Sequence, residues 1–198
     1  AKSHQTRLIH VCTDFVFDGK SSQPYTEVDT PNPINVYGRS KFAGEESLRE
    51  VMLKGAIIIR TSWLYSEYNR NFVKTILKLG REKSELSVVR DQIGSPTYAT
   101  DLAEVILGLI DNEKFKREER ETEIYHYSNE GGISWYEFSK EILKIANVVC
   151  IVKPIESAKY ETPAKRPKNA IMDNQKIILD ANIKILYWKD SLKICLLL

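Results

Sequence analysis

The sequence predicts an α/β protein built on part of a doubly wound parallel sheet, followed by a smaller mixed region. Three observations predict it. Arg7-Leu8-Ile9-His10-Val11-Cys12-Thr13-Asp14 and Ala56-Ile57-Ile58-Ile59-Arg60-Thr61-Ser62-Trp63 are short apolar runs tipped with polar residues, the pattern of parallel strands whose carboxyl ends open onto a site. Between them, Tyr37 to Met52 carries apolar and charged residues at helical spacing, so strand, loop, helix and strand form one crossover unit. Beyond Trp63, helical patterns and short apolar runs continue to alternate.

The elements follow in order. Phe15-Val16-Phe17-Asp18-Gly19 turns the chain after the first strand, and 20–33, with its prolines and serines, is loop. Pro31 and Pro33 hold the entry to the helix extended, and Gly55 closes the helical run before the second strand. A helix is expected over 71–81 with Phe72, Ile76, Leu77 and Leu79 on one face, then a strand at Leu86-Ser87-Val88-Val89. Asp91-Gln92-Ile93-Gly94-Ser95-Pro96-Thr97 reads as loop, and Asp101 opens an apolar helix reaching Ile110. Ile124 to Tyr127 reads as a short strand and Gly131-Gly132 as a turn; Ser134 then caps a helix with Glu137 in the capping-box position. Lys153 to Pro167, with three prolines, reads as an irregular connection ahead of a last helical pair. The chain opens on Ala1 and enters a strand almost at once, which reads as a piece of something longer.

Composition narrows the function classes. The 198 residues are enough for one sizeable core or two small ones. With 29 basic against 27 acidic residues the net charge is +2, no footprint for nucleic acid or a membrane surface. The densest charge run, Lys114 to Glu121, mixes both signs and reads as a solvated helix end or loop. Cys12, Cys150 and Cys195 lack metal-ligand spacing and are expected as reduced thiols in the cytoplasm, with no metal site. His4, His10 and His126 are scattered without an acid or cysteine partner in a recognisable order. The apolar end, Ile194 to Leu198, is too short to cross a bilayer and is expected to pack against the body.

The candidate chemistry sits at the start of the helix, in Tyr37-Gly38-Arg39-Ser40-Lys41. Residues four apart share a helix face, so Tyr37 and Lys41 project together. A phenol beside an ammonium is a proton donor suited to a carbonyl oxygen, because the cation stabilises the phenolate left behind. The spacing alone also fits a surface tyrosine and a solvated lysine, so other residues must decide. Thr13 and Asp14 place a hydroxyl and a carboxylate at a strand tip 24 residues before Tyr37. Trp63 stands just past the second strand, where a ring can stack on a ligand.

Thr13, Tyr37 and Lys41 resemble the Ser/Thr, Tyr, Lys triad of the extended short-chain dehydrogenase/reductases that act on nucleotide sugars. Further segments are similar to the dTDP-4-dehydrorhamnose reductase family: Thr13-Asp14-Phe15-Val16-Phe17-Asp18-Gly19, Val36-Tyr37-Gly38-Arg39-Ser40-Lys41 with Gly44-Glu45, Arg60-Thr61-Ser62-Trp63-Leu64-Tyr65, Asn71-Phe72-Val73, Asp91 to Thr97, Asp101-Leu102-Ala103 and Ser134 to Phe138. They run in the family's order along nearly the whole chain. Cys12, Phe15, Ser66 and Ala170 depart from the pattern, and no triad member is lost. The Gly-rich strand-to-helix turn with which the family opens, and which holds the cofactor pyrophosphate, has no counterpart here.

The resemblance implies a partial Rossmann-like sheet, with 1–64 as the second half of a dinucleotide-binding domain and 65–198 as a substrate-binding region that returns segments to it. It implies reduction of dTDP-4-dehydro-L-rhamnose by NADPH or NADH, with Tyr37 as acid, Lys41 supporting it and binding the cofactor, and Thr13 orienting acid and substrate. Asp14 and Trp63 would grip the sugar. A homo-oligomer is expected from the strand at Leu8 to Cys12, whose apolar surface and backbone edge are open to association where the missing half would cover them. A reductase-like binding or regulatory subunit and a related nucleotide-sugar reductase or epimerase remain as alternatives; the intact triad favours chemistry, and Asp14, Trp63 and the 91–97 loop favour the rhamnose branch.

Overall fold

The computed structural model describes residues 1–4, 6–116, 120–160 and 162–197. The first part holds β1 (Leu8–Thr13), a 3-10 turn at Asp14–Val16, α1 (Val36–Val51), β2 (Ala56–Thr61) and β3 (Leu64–Tyr65). Next come α2 (Phe72–Glu82), β4 (Glu85–Val89), β5 (Ile93–Gly94), β6 (Thr97–Tyr98), α3 (Ala99–Asp111) and α4 (Glu113–Lys116). The last part has β7 (Glu123–His126), β8 (Ile133–Ser134), α5 (Trp135–Ile145), β9 (Ile151–Ile155), α6 (Gln175–Ala181) and α7 (Trp188–Leu197).

The expected crossover is present. β1 and β2 run parallel from Leu8 opposite Ala56 to Thr13 opposite Thr61, and β7 adds to the far side of β2, also parallel. As the middle strand, β2 is buried at every position, which is why its run of isoleucines does not alternate with polar residues. Among the described residues β1 pairs with β2 alone, and its Leu8 and Val11 stay 36% and 37% exposed.

Packing separates three clusters. Cys12, Val16, Phe17 and Ile58 meet Phe42 and Leu48 of α1. On another side, Ile57, Ile59 and Tyr125 pack with Leu102 and Leu109 of α3 and Ile177 of α6, so elements from beyond residue 64 build on the β1–β2–β7 sheet. The largest cluster joins α2, β4, α5 and α7 through Ile76, Leu86, Val88, Phe138, Ile142 and Leu192. Cys195 is buried there, so the apolar end of the chain packs against the body through α7.

Two expectations need correction. Lys153 to Pro167 is not irregular throughout: its start belongs to β9, parallel to β4 with Pro154 opposite Val88. A two-stranded sheet has only edge strands, and an edge tolerates a residue without a ladder N–H. The 91–97 loop contains β5, paired with β8, and the start of β6, paired with β3. Of the charge run at 114–121, residues 117–119 lie outside those described. Among the described residues no helix is long and apolar enough to cross a membrane, and no cluster of His, Cys, Asp or Glu could hold a metal ion.

Candidate functional site

The site forms where the carboxyl end of β1 meets the amino end of α1. Asn35 caps α1 by accepting a hydrogen bond from the Gly38 N–H at 2.7 Å, satisfying a donor that the helix itself leaves free. Gly38 is needed for close approach: a Cβ there would collide with the Phe15 carbonyl. The helix start therefore lies directly on the turn that carries Thr13 and Asp14. Tyr37 is 52% exposed, and its ring meets the edge of Phe15 at 5.6 Å between centroids. Lys41, one turn on, donates to the Val11 carbonyl at 3.1 Å and so spans α1 and β1.

Glu45 continues the same helix face. It is 1% exposed and takes a bidentate grip on Arg60 of β2, at 2.9 Å from Nε to Oε1 and 2.6 Å from Nη2 to Oε2. A buried fork of this kind allows one rotation of α1 about its axis, the rotation that turns Tyr37 and Lys41 to the tip of β1.

Thr13 and Asp14 are both buried. The Thr13 hydroxyl donates to Asp14 Oδ1 at 3.0 Å and accepts from the Phe15 N–H at 3.2 Å. Among the described residues Asp14 Oδ2 is buried without a hydrogen-bond partner. Burial pushes the Asp14 carboxyl up to about 7, against the opposing pull of the Thr13 hydrogen bond. Among the described residues Tyr37 makes no direct hydrogen bond to Thr13, whose hydroxyl is committed to Asp14 and Phe15.

Trp63 follows β2 in a left-handed conformation, φ 46°, an uncommon and strained state for a bulky residue. It is half-buried. Trp135 stacks on one face of its indole at 3.3 Å between centroids, and Gly94 fits against its Nε1 edge, where a Cβ would stand 2.5 Å from Cε2. Trp135 and Phe72 in turn line a cleft of about 250 Å³ with Val88, Gln92, Tyr160, Thr162 and Arg166. The sequence reading did not single out this cleft, because its walls come from segments more than 90 residues apart. An apolar cavity of about 370 Å³ also lies between Leu8, Ala56, Ile106 and Phe115. It sits at the amino ends of β1 and β2, and open α/β sheets bind ligands at the carboxyl ends.

Sequence reasoning thus placed Tyr37, Lys41, Thr13 and Asp14 together, and the structure brings them to one strand tip, with Trp63 at the tip of the next strand. It missed the Glu45–Arg60 fork and the second bond of Asn35, described below. Only Asn35 carried a local signal, as a cap residue type before a helix.

Residues 1–197 match the family model described as the RmlD substrate binding domain. A dTDP-4-dehydrorhamnose reductase of Aggregatibacter actinomycetemcomitans is 41% identical over 96% of this chain and 66% of its own length. The spore coat polysaccharide biosynthesis protein SpsK of Bacillus subtilis is 40% identical over 94% of this chain and 62% of its own. The chain therefore spans a little under two thirds of the length of these relatives. A crystal structure of the Bacillus anthracis dTDP-4-dehydrorhamnose reductase, in complex with NADP, superposes with a TM-score of 0.87 at 40% identity, covering 96% of this chain and 65% of that one. The matches agree with the resemblance carried by the motifs and give the fold as that of the Rossmann-like reductases.

Proposed function

The chain belongs to the RmlD substrate-binding-domain family, and from that premise we propose that it carries the acid and sugar-nucleotide site of a reductase converting dTDP-4-dehydro-L-rhamnose to dTDP-L-rhamnose. The observation that supports this most is the exposed Tyr37 phenol on a helix face fixed by Lys41 and the buried Glu45–Arg60 fork. Tyr37 protonates the oxygen at C4. Lys41 lies between the helix and the tip of β1, placed to stabilise the phenolate that results and to bind a ribose hydroxyl. Asp14, protonated through its burial, donates its proton in a hydrogen bond to the Thr13 oxygen and so frees the Thr13 hydroxyl to donate to the sugar carbonyl, rather than gripping the sugar directly. Trp63 offers the half-buried edge of its indole to the deoxy sugar.

NADPH, when bound, supplies the hydride to C4. Tyr37 and Lys41 fit the nicotinamide and ribose end of such a cofactor; the 198 residues contain no Gly-rich turn for its pyrophosphate. The cleft beyond Trp135 fits the nucleotide, with Phe72 and Trp135 as apolar walls for a base and Arg166 at the rim for a diphosphate. In this division 1–64 is the cofactor-side half and 65–198 the substrate side, lending α3, β7 and α6 back to the sheet. Unpaired Cys12, Cys150 and Cys195 suit a cytoplasmic enzyme, and a homo-oligomer remains part of the proposal.

Calorimetric titration of dTDP into the purified chain tests the reading. Saturable binding with a dissociation constant on the order of micromolar, weakened by Arg166→Ala, is expected. No binding of dTDP would reject it.

A further inference from the structure

The cap of α1 does more than a cap requires. A helix N-terminus needs one acceptor, which Ser, Thr or Asp would supply as well as Asn. Asn35 is 6% exposed; besides accepting from Gly38, it donates through Nδ2 to the carbonyl of Lys165 at 2.8 Å, 130 residues away in sequence. Both ends of one amide are used on different parts of the chain.

The segment it holds is the cleft wall. Thr162 and Arg166 line the cleft, with Lys165 between them in sequence. From Pro167 onward the chain is pinned on two sides: the Ile93 N–H donates to the Lys168 carbonyl at 2.7 Å, the Asn169 N–H donates to Gly19 at 3.1 Å, and Asn169 Nδ2 donates to Ser21 at 2.8 Å. Gly19, at φ 76°, leaves no room there, since a Cβ would stand 2.5 Å from the Lys168 nitrogen. Ahead of Pro167 the anchoring is sparse. Among the described residues, Asn35 is the one hydrogen-bond partner that 162–166 have outside their own segment.

We infer that Asn35 is a positioning residue: it fastens the Arg166 wall of the cleft to the start of the helix that carries Tyr37, so that the nucleotide pocket and the acid are held at a fixed separation. The inference rests on the cleft's taking a nucleoside diphosphate, as proposed above. If this holds, freeing the Lys165 carbonyl loosens the wall without loosening the helix.

Asn35→Asp and Asn35→Ser separate the two roles: each keeps an acceptor for Gly38, Asp has no donor for Lys165, and the Ser hydroxyl ends one bond short of the Asn35 amide nitrogen. Tryptic cleavage after Lys165 reads the wall, hydrogen exchange across 36–51 reads the helix, and dTDP titration reads the pocket. Expected are cleavage after Lys165 about tenfold faster, unchanged exchange across 36–51, and dTDP affinity lowered roughly tenfold in both variants. Should Asn35→Ser loosen 36–51, Asn35→Asp, with the stronger acceptor at a helix N-terminus, decides. Unchanged cleavage after Lys165 overturns the inference, as does faster cleavage with unaltered dTDP affinity. If the native chain does not bind dTDP, the functional reading fails, and the cleavage comparison still decides whether Asn35 fastens the wall.

Discussion

Replacing Asp14 by Asn should steepen the loss of stability toward acid relative to the native chain. Asp14 and His126 are both buried and titrate in opposite senses. Burial raises Asp14 from 3.8 to about 7, so across that window the folded chain holds a proton that the unfolded chain has lost, and stability rises as pH falls. Burial lowers His126 from 6.5 to about 3, helped by the nearby Arg60 charge, so the unfolded chain takes up a proton that the folded one refuses, and stability falls as pH falls. Each contributes a slope of at most about 1.4 kcal/mol per pH unit, of opposite sign, or roughly 4 kcal/mol over its full window. Between about pH 4 and pH 6.5 the two slopes cancel. Asp14→Asn removes one of them, and stability then drops toward acid by about 1.4 kcal/mol per pH unit relative to the native chain. His126→Gln removes the other, and stability climbs toward acid by a similar amount. Tyr25, Glu27, Asp29, Arg60 and Lys176, which surround His126, are common to all three proteins and drop out of the comparison. Urea unfolding over a pH series measures each curve. Curves for Asp14→Asn and the native chain that run parallel would refute the assignment of Asp14 as the buried, proton-holding acid.

Glu45→Gln leaves the Arg60 guanidinium buried without its counter-charge and should cost about 3–5 kcal/mol in urea unfolding; a loss below 1 kcal/mol would mean that the fork does not hold α1. Gly94→Ala drives a methyl group into the Trp63 indole, and should shift tryptophan emission and weaken dTDP-sugar binding by roughly tenfold; an unaltered spectrum would show that the ring moves aside freely. The 198-residue polypeptide by itself should show no saturable micromolar binding of NADPH by nicotinamide fluorescence, because the residues it supplies fit only one end of the cofactor.

Much of the frame was legible because it is written in local patterns. The isoleucines of β2, the Ser134–Glu137 capping box and the Asn71 cap each act within a few residues, and the structure forms all three. The shared helix face of Tyr37 and Lys41 was legible as a spacing. Its orientation was not, since that depends on Glu45 finding Arg60 across a helix–strand contact that no periodicity announces. β9 was hidden by Pro154, which counts against a strand until the strand proves to be an edge. The burial of Asp14 was equally invisible: a carboxylate at a strand tip reads as a ligand, and only packing turned it inward behind Thr13. The cleft and the Asn35–Lys165 bond depend on contacts between segments far apart in sequence, which order along the chain does not encode.

The central claim is that Tyr37 is the acid of a dTDP-4-dehydrorhamnose reductase site. A chimera with a Gly-rich cofactor-binding segment placed ahead of Ala1 would supply a pyrophosphate turn, and its oxidation of NADPH by dTDP-4-dehydro-L-rhamnose can be followed by absorbance. Tyr37→Phe in that chimera should lower kcat by roughly a hundredfold or more while dTDP binding changes little. An active chimera whose turnover is the same with and without the Tyr37 hydroxyl would contradict the account.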